Sequence, residues 1–494
     1  MPFGAGISLD RASGPRVERP VSGRKYRNQM FNRRILASLM AAVTLLTVLL
    51  GHLFAAQNDN TLFNSSDRSS FVTPGTLQMA GAARARAAYV NWNALSPQAE
   101  KLSLNLFSDV MLDARLRRVD QMANGGYVWV GDIEGEAGSS ITLSVQNGVV
   151  MGSIYRHGVE WGVIRYAGEV SNGAYWIVEL DPYAPQPTGR DYVIPPPAGE
   201  AASPEVADGA VCAEDGSEIG VMVVYTAEAR DSVGGRAAIE ALINQKISDM
   251  NSANAASHLD TFRWRLVHTM EVSYNESGSL RDDLDRLLKV GDGIMDEVHQ
   301  ARDTYKADLV ALLVAQGNNN ACGYAYQMGE MDPGFQNYSF AAAALDYPGD
   351  YYSCSGLALA HELGHTMGNA HDRAHSSGKT LFPYSYGFQS PTGRFRDIMS
   401  YDCPNGCPRI NQWANPDVMY LNEPTGIKQA ADLVSSMNQA RVLVSNFRAD
   451  CLAEPVVTPT AVPTATPLPS ATPPPVSMPY KLFLPAAAKP TSGR

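Results

Sequence analysis

The sequence predicts an α/β (α+β) domain with a mixed twisted sheet, preceded by a separate all-β unit. Three observations carry this. Short β-branched and aromatic runs separated by turn residues fill residues 95–185. Strand-like and helix-like stretches then alternate between residues 219 and 314, as in a sheet with helices packed against it. The chain has 494 residues, 45% hydrophobic and 18% charged. That suits two or three folded units and excludes a mostly disordered or fibrous protein.

In chain order, the first element is an export device. Ile35 to Ala56 is a nearly unbroken apolar run of 22 residues, directly preceded by Arg33-Arg34. A basic stretch ahead of an apolar run reads as a signal peptide. The run is also long enough to span a bilayer, which takes about 20 residues. Residues 1–56 are therefore read as a signal peptide or retained signal anchor. The remainder is expected to be secreted or held at the cell surface, touching the membrane only through this segment if it stays uncleaved. Residues 1–34 carry eight basic side chains against Asp10 and Glu18, whereas the whole chain has a net charge of -11. An acidic body argues against nucleic acid as a partner.

Residues 57–94 are polar and small and read as a linker. Within the all-β unit, 95–185, the strands are Tyr127–Ile133, Ile141–Val145, Val149–Tyr155, Val159–Tyr166 and Tyr175–Leu180. Asn147-Gly148 is a hairpin signal between two of them. Residues 186–211 are rich in Pro, Ala and Gly and read as a second linker. Residues 212–451 form the largest unit. There Ile219–Thr226, Phe262–Val272 and Leu309–Val314 read as strands, and Gly235–Ala256, Leu280–Leu288, Ile294–Tyr305 and Ala430–Phe447 as helices. Ala238, Ile239, Leu242, Ile243, Ile247 and Met250 form one apolar stripe on the long helix. Residues 452–479 are a Pro/Thr-rich spacer, and 480–494 a short apolar tail.

All six cysteines follow the apolar run, and an even number in an exported chain favours disulfides. Cys403 and Cys407 enclose only Pro404-Asn405-Gly406, which suits a local bridge. Cys212 and Cys451 bracket the largest unit, where a bridge would staple its ends.

The chemistry lies in residues 361–372, where His361-Glu362-Leu363-Gly364-His365 is followed by Gly368, His371 and Asp372. On a helix, residues i and i+4 share a face, so His361 and His365 present imidazoles to one metal. Gly368 permits the sharp turn that brings His371 back as a third ligand. Three imidazoles leave one position open, the layout of a catalytic zinc site. Glu362 adjoins the metal without ligating it. The nine histidines of the chain place three within these eleven residues, unlike scattered core histidines.

This string resembles the zinc signature of the metzincin metalloendopeptidases. Asp372, directly after the third histidine, resembles the reprolysin/adamalysin branch. Asp397-Ile398-Met399-Ser400-Tyr401 resembles the metzincin Met-turn, with Met399 as the floor beneath the imidazoles. Met-x-Tyr is instead similar to the astacin and serralysin branches, where the tyrosine supports the transition state. The combination resembles bacterial peptidyl-Asp metalloendopeptidase-like proteins. The resemblance covers roughly residues 215–450. It implies one catalytic Zn2+ on His361, His365 and His371. It also implies a zinc-activated water with Glu362 as general base, and a supporting Tyr401. The substrate would be a protein or peptide held as an extended strand, along Cys322–Tyr326 or Ser339–Leu345, and cleaved at internal bonds beside acidic residues. Nothing in the sequence supports a bound calcium. The all-β unit would be a propeptide, with Cys212 either a zinc-blocking thiol or a disulfide partner. A catalytically silent surface binding or adhesion protein on the same fold is the alternative. The presence of all three ligands and Glu362 weighs against it.

Overall fold

The computed structural model describes residues 61–64, 79–168, 171–196, 213–318, 320–346 and 352–449. The export segment, the Pro/Thr-rich spacer, the apolar tail, Cys212 and Cys451 lie outside the described residues.

Nine strands form the first sheet: β1 (Phe63–Asn64), β2 (Ala82–Val90), β3 (Lys101–Phe107), β4 (Val110–Gln121), β5 (Tyr127–Ile133), β6 (Ser140–Gln146), β7 (Val149–Arg156), β8 (Val159–Tyr166) and β9 (Tyr175–Leu180). Their order is β1-β2-β9-β8-β7-β6-β5-β4-β3, with every pair antiparallel. Alternation sends Leu102, Leu104, Trp129, Ile141, Leu143 and Ile164 into one apolar cluster. At the β6–β7 hairpin Asn147 and Gly148 both take positive φ, 47° and 78°, as a tight primed turn demands. The stretch 57–94, read as a linker, contributes β1 and β2. Its small and basic residues hid an alternating strand pattern.

The second sheet holds β10 (Tyr192–Val193), β11 (Glu218–Tyr225), β12 (Arg263–Glu271), β13 (Leu309–Gln316), β14 (Gly323–Tyr326) and β15 (Phe340–Asp346), in the order β10-β14-β15-β13-β11-β12. β14 runs antiparallel to β15 and the other pairings are parallel. The helices α1 (Ala227–Ser232), α2 (Arg236–Ala256), α3 (Leu280–Leu288), α4 (Asp296–Thr304), α5 (Ala358–Thr366) and α6 (Leu433–Ser445) complete this unit. The central strands β11 and β13 are apolar on both faces and almost wholly buried, as parallel strands covered on both sides must be. Two corrections to the sequence reading concern its edge. Ser339–Leu345 falls in β15, an interior strand, so it offers no free edge. Part of the stretch 186–211, read as a linker, adds β10 outside β14.

The long helix α2 joins the two sheets. Its predicted apolar stripe is buried, Ile239 and Ile243 completely. Its opposite face is polar yet covered by the first sheet. Ser153 Oγ donates to Asp249 Oδ2 at 2.8 Å, Ser248 Oγ to Asp120 Oδ2 at 2.8 Å, and Gln146 Nε2 to Glu240 Oε2 at 3.2 Å. A helix with one polar face is built to meet water. Here that face meets a partner made of the same chain.

Candidate metal centre

α5 packs beneath β13, β14 and β15, and all nine of its residues are buried. At its end Gly368 turns the chain with φ of 87°. A Cβ there would meet Leu381 Cδ2 at 2.3 Å, so glycine is required on both counts. The turn returns His371 to the helix face. His371 Nε2 lies 3.1 Å from His361 Nε2 and 3.1 Å from His365 Nε2.

The tautomers show what these three nitrogens need. His361 Nδ1 donates to the Ile398 carbonyl at 2.9 Å and His365 Nδ1 to the Asn369 carbonyl at 2.8 Å. A carbonyl only accepts, so each Nδ1 keeps its hydrogen and each Nε2 offers a lone pair. The lone pairs of His361 and His365, each on the order of 3 Å from His371 Nε2, fit a shared cation at zinc–nitrogen distances of about 2.0–2.1 Å. Burial disfavours charge on His361 and His365, and holds His361 down to about 3.

The fourth group is Asp191, from the chain leading into β10. Its carboxylate lies 2.9 Å from His371 Nε2, 3.4 Å from His361 Nε2 and 3.7 Å from His365 Nε2. One ligand atom from each of the four residues falls within 4.8 Å of the others. Asp191 Oδ1 is buried with no hydrogen-bond partner, which again fits a cation. The adjoining backbone is fastened to β14. Ala325 N donates to the Asp191 carbonyl and Gln327 N to the Val193 carbonyl, each at 2.8 Å. Tyr192 packs its ring against His365 and His371, and Ser377 N donates to its hydroxyl at 2.8 Å. Asp191 escaped the sequence reading because it stands among prolines and glycine. The signal was Tyr192-Val193-Ile194, a β-branched and aromatic run set into that linker composition.

Glu362 adjoins the three imidazoles. Its carboxylate presses on β14 at Gly323, where an added Cβ would meet Oε1 at 2.1 Å. Glu362 Oε2 is buried without a partner. Burial, then the Asp191 charge, pushes its carboxyl well above the usual range.

Met399 is fully buried beneath α5. A Cβ on Gly364 would stand 2.5 Å from Met399 Sδ and 3.2 Å from the Trp413 ring. Asp397 holds the turn, its Oδ1 accepting from Ser400 N at 2.9 Å and Ser400 Oγ at 2.6 Å. Asp372 ties the turn to the third histidine by accepting from Tyr401 N at 3.2 Å. The Tyr401 ring lies 4.2 Å from that of His371, and its hydroxyl donates to the Gly189 carbonyl. Gly364→Ala should therefore overpack the floor at a cost of about 1–3 kcal/mol, against up to about 1 kcal/mol of gained helix propensity. The expected net fall in Tm is a few degrees, read by differential scanning calorimetry, with weaker zinc retention. An unchanged Tm would remove Met399 from the role of a packed floor.

Comparison with known proteins bears on this site directly. Residues 215–414 match the family described as Metallo-peptidase family M12, Reprolysin_5. A relative from Pseudomonas fragi is 31% identical over 150 residues, covering 30% of this chain and 72% of that protein. The chain belongs to this metzincin-type family of zinc metalloendopeptidases. That Pseudomonas relative carries the name peptidyl-Asp metalloendopeptidase. So do relatives from Xanthomonas campestris pv. campestris, 28% identical over 74% of this chain and 86% of that protein, and from Stenotrophomonas maltophilia, 28% identical over 67% and 79%. The protein is thus a peptide hydrolase that uses zinc, and the buried three-histidine cluster is the place in it that fits the ion. Cys322–Cys354 and Cys403–Cys407 are disulfides, and no helix among the described residues is long and apolar enough to cross a membrane.

Proposed function

We propose that this metallopeptidase is an exported endopeptidase, made as a latent precursor, with Glu362 as its general base. The observation that carries the proposal is the unpartnered Glu362 Oε2 beside three Nε2 atoms that converge on one point. Bound zinc supplies Lewis acidity, acidifying water and polarising a carbonyl. Glu362 takes the proton of the attacking water and returns it to the leaving amine. Tyr401, once released from the Gly189 carbonyl, donates to the developing oxyanion. The substrate lies extended along the outer edge of β14, as β10 does now. The disulfides support an oxidising location outside the cytosol. The name carried by the relatives supports a preference for acidic residues at the cleaved bond.

Latency follows from Asp191. It stands where a water would be held, and its segment covers the β14 edge. We therefore assign the blocking role to Asp191. Cys212, the thiol considered from the sequence, lies outside the described residues. The polar face of α2 supports a removable first sheet, because that face suits water once the sheet has left.

The test compares the full chain with the processed form lacking the residues before Gly216. One zinc per chain, cleavage of end-blocked peptides by the processed form, and loss of zinc in His371→Ala are expected. Zinc without cleavage in either form would overturn the peptidase reading and favour a silent binding protein.

A further inference from the structure

Two buried arginines flank the Met-turn, Arg396 before it and Arg409 after it, and they differ. Arg396 is 2% exposed. It is spent on the Cys407 carbonyl at 3.2 Å and the Ser400 carbonyl at 3.1 Å, with Asp402 at 3.7 Å. Arg409 makes a single side-chain hydrogen bond among the described residues, from Nη2 to the Ser400 carbonyl at 3.1 Å. Its Nε is buried with no partner. No carboxylate among the described residues is paired with it. Burial holds its guanidinium below the usual value, and the charges around it push the other way.

Its position is fixed and adjoins the reacting groups. The Cys403–Cys407 loop closes on Asp402, whose Oδ1 accepts from Cys403 N at 2.9 Å and Cys407 N at 3.0 Å. Ile410 N donates to the Arg396 carbonyl at 2.9 Å and Arg396 N to the Pro408 carbonyl at 3.0 Å, which pins the backbone on both sides of Arg409. The side chain then lines a cavity together with His361, Glu362 and Tyr401. Gln186, Pro187 and Asp191, all from the blocking segment, line the same cavity. Withdrawal of that segment exposes a guanidinium beside Glu362.

Of the nearby carboxylates of the protease itself, Glu362 shares the cavity and is reserved for the attacking water, and the other two are engaged. Asp397 is held by Ser400 and by Ala414 N at 3.2 Å, and Asp402 by the loop amides. Further nearby acids come from ahead of the protease. One is Asp191. The others are Asp181 and Glu160 of β8, which line the cavity on the far side of Arg409, where Glu160 accepts from Gly356 N at 3.0 Å. All three leave with the first sheet. A buried, rigid guanidinium without a counter-ion matches a carboxylate by geometry and charge.

We propose that Arg409 determines specificity by receiving the carboxylate of an acidic substrate side chain next to the scissile bond. This rests on the peptidase reading above. The experiment uses the processed, zinc-loaded enzyme and quenched peptides identical except for Asp, Asn or Ala at the recognised position. Wild type is expected to prefer Asp over Asn by at least about 10²-fold in kcat/KM, on the scale of a buried charged pair. Arg409→Gln should bring that ratio to within a few-fold of unity, Arg409→Lys should keep part of it, and Arg409→Glu should shift preference toward Lys. A binding readout accompanies it. In Glu362→Gln enzyme, adding Arg409→Gln should raise the Kd of the Asp peptide far more than that of the Asn peptide. Equal losses on both peptides, or an unchanged ratio in Arg409→Gln with zinc and Tm retained, would overturn the proposal. Absence of any cleavage by zinc-loaded wild type is a different result, and overturns the underlying peptidase reading instead.

Discussion

Glu362→Gln is expected to leave one zinc bound per chain and to lower kcat/KM by about 10²–10⁴-fold, the range for loss of a general base. The amide has the size and shape of the carboxylate, so it keeps the contact with Gly323, where no side chain stands in the way. It cannot accept a proton from water. His361 and His365 do not depend on Glu362, because they are oriented by the Ile398 and Asn369 carbonyls. Metal content and turnover should therefore separate, as measured by elemental analysis beside cleavage of a quenched peptide. Retention of more than about a tenth of the activity would show that another group moves the proton.

The contrast between what was legible and what was not follows from sequence distance. His361, His365 and His371 are arranged by one helix and one glycine turn, so their spacing alone predicts a shared point. Met399 and Tyr401 sit on a turn whose composition marks it, yet their place beneath and beside the imidazoles is a tertiary fact. Asp191 lies about 170 residues before the zinc helix. It reaches the site only because β10 adds to β14, and strand order is a non-local property that no local period encodes. The same cause left Ser339–Leu345 open between an edge strand and an ordinary strand core. Its alanine run reads as a strand, but nothing local says that β14 would cover it. Arg409 was passed over for a further reason. A single arginine after a disulfide loop has no signature in sequence, and its missing partner is visible only in space.

The polar face of α2 also carries information that the apolar stripe does not. Asn244, Gln245, Ser248, Asp249 and Ser252 are buried against the first sheet. Asn124 and Asn244 exchange hydrogen bonds at 3.0 Å, and Arg118 Nη2 reaches Ser248 Oγ at 3.0 Å. An interface meant to be permanent is more apolar at its centre. A polar one separates without leaving a large hydrophobic scar, as the proposed removal of the first sheet would require.

Asp191→Ala is expected to abolish most of the latency of the full chain. The blocking segment is held by neutral contacts and by one charged group; besides those named next, Gly189 N donates to the Asn320 carbonyl and the Tyr401 hydroxyl to the Gly189 carbonyl. Two backbone hydrogen bonds to β14 and the Tyr192–Ser377 contact are neutral, each worth about 1 kcal/mol. The Asp191 carboxylate among three imidazoles is the charged one. With the cation held by those imidazoles as its partner, truncating this carboxylate costs about 2–5 kcal/mol, the scale of a buried charged pair, and each 1.4 kcal/mol is about tenfold in an equilibrium. The segment should thus leave the cleft about 10²–10³-fold more readily, while β10 can still pair weakly. The unprocessed Asp191→Ala chain should cleave peptide without the lag of wild type and should process itself faster, read by intact mass against time. Asp191→Asn, which keeps the shape and loses the charge, should fall between the two. Tyr192→Phe, which removes one neutral contact, should change the lag by less than about tenfold. In the Glu362→Gln background the Asp191→Ala chain should stay intact yet bind an extended peptide that the Asp191 form excludes. Release of latency therefore reads as access to the cleft, separate from the chemistry within it. An Asp191→Ala chain as latent as wild type would move the block to the β14 edge itself.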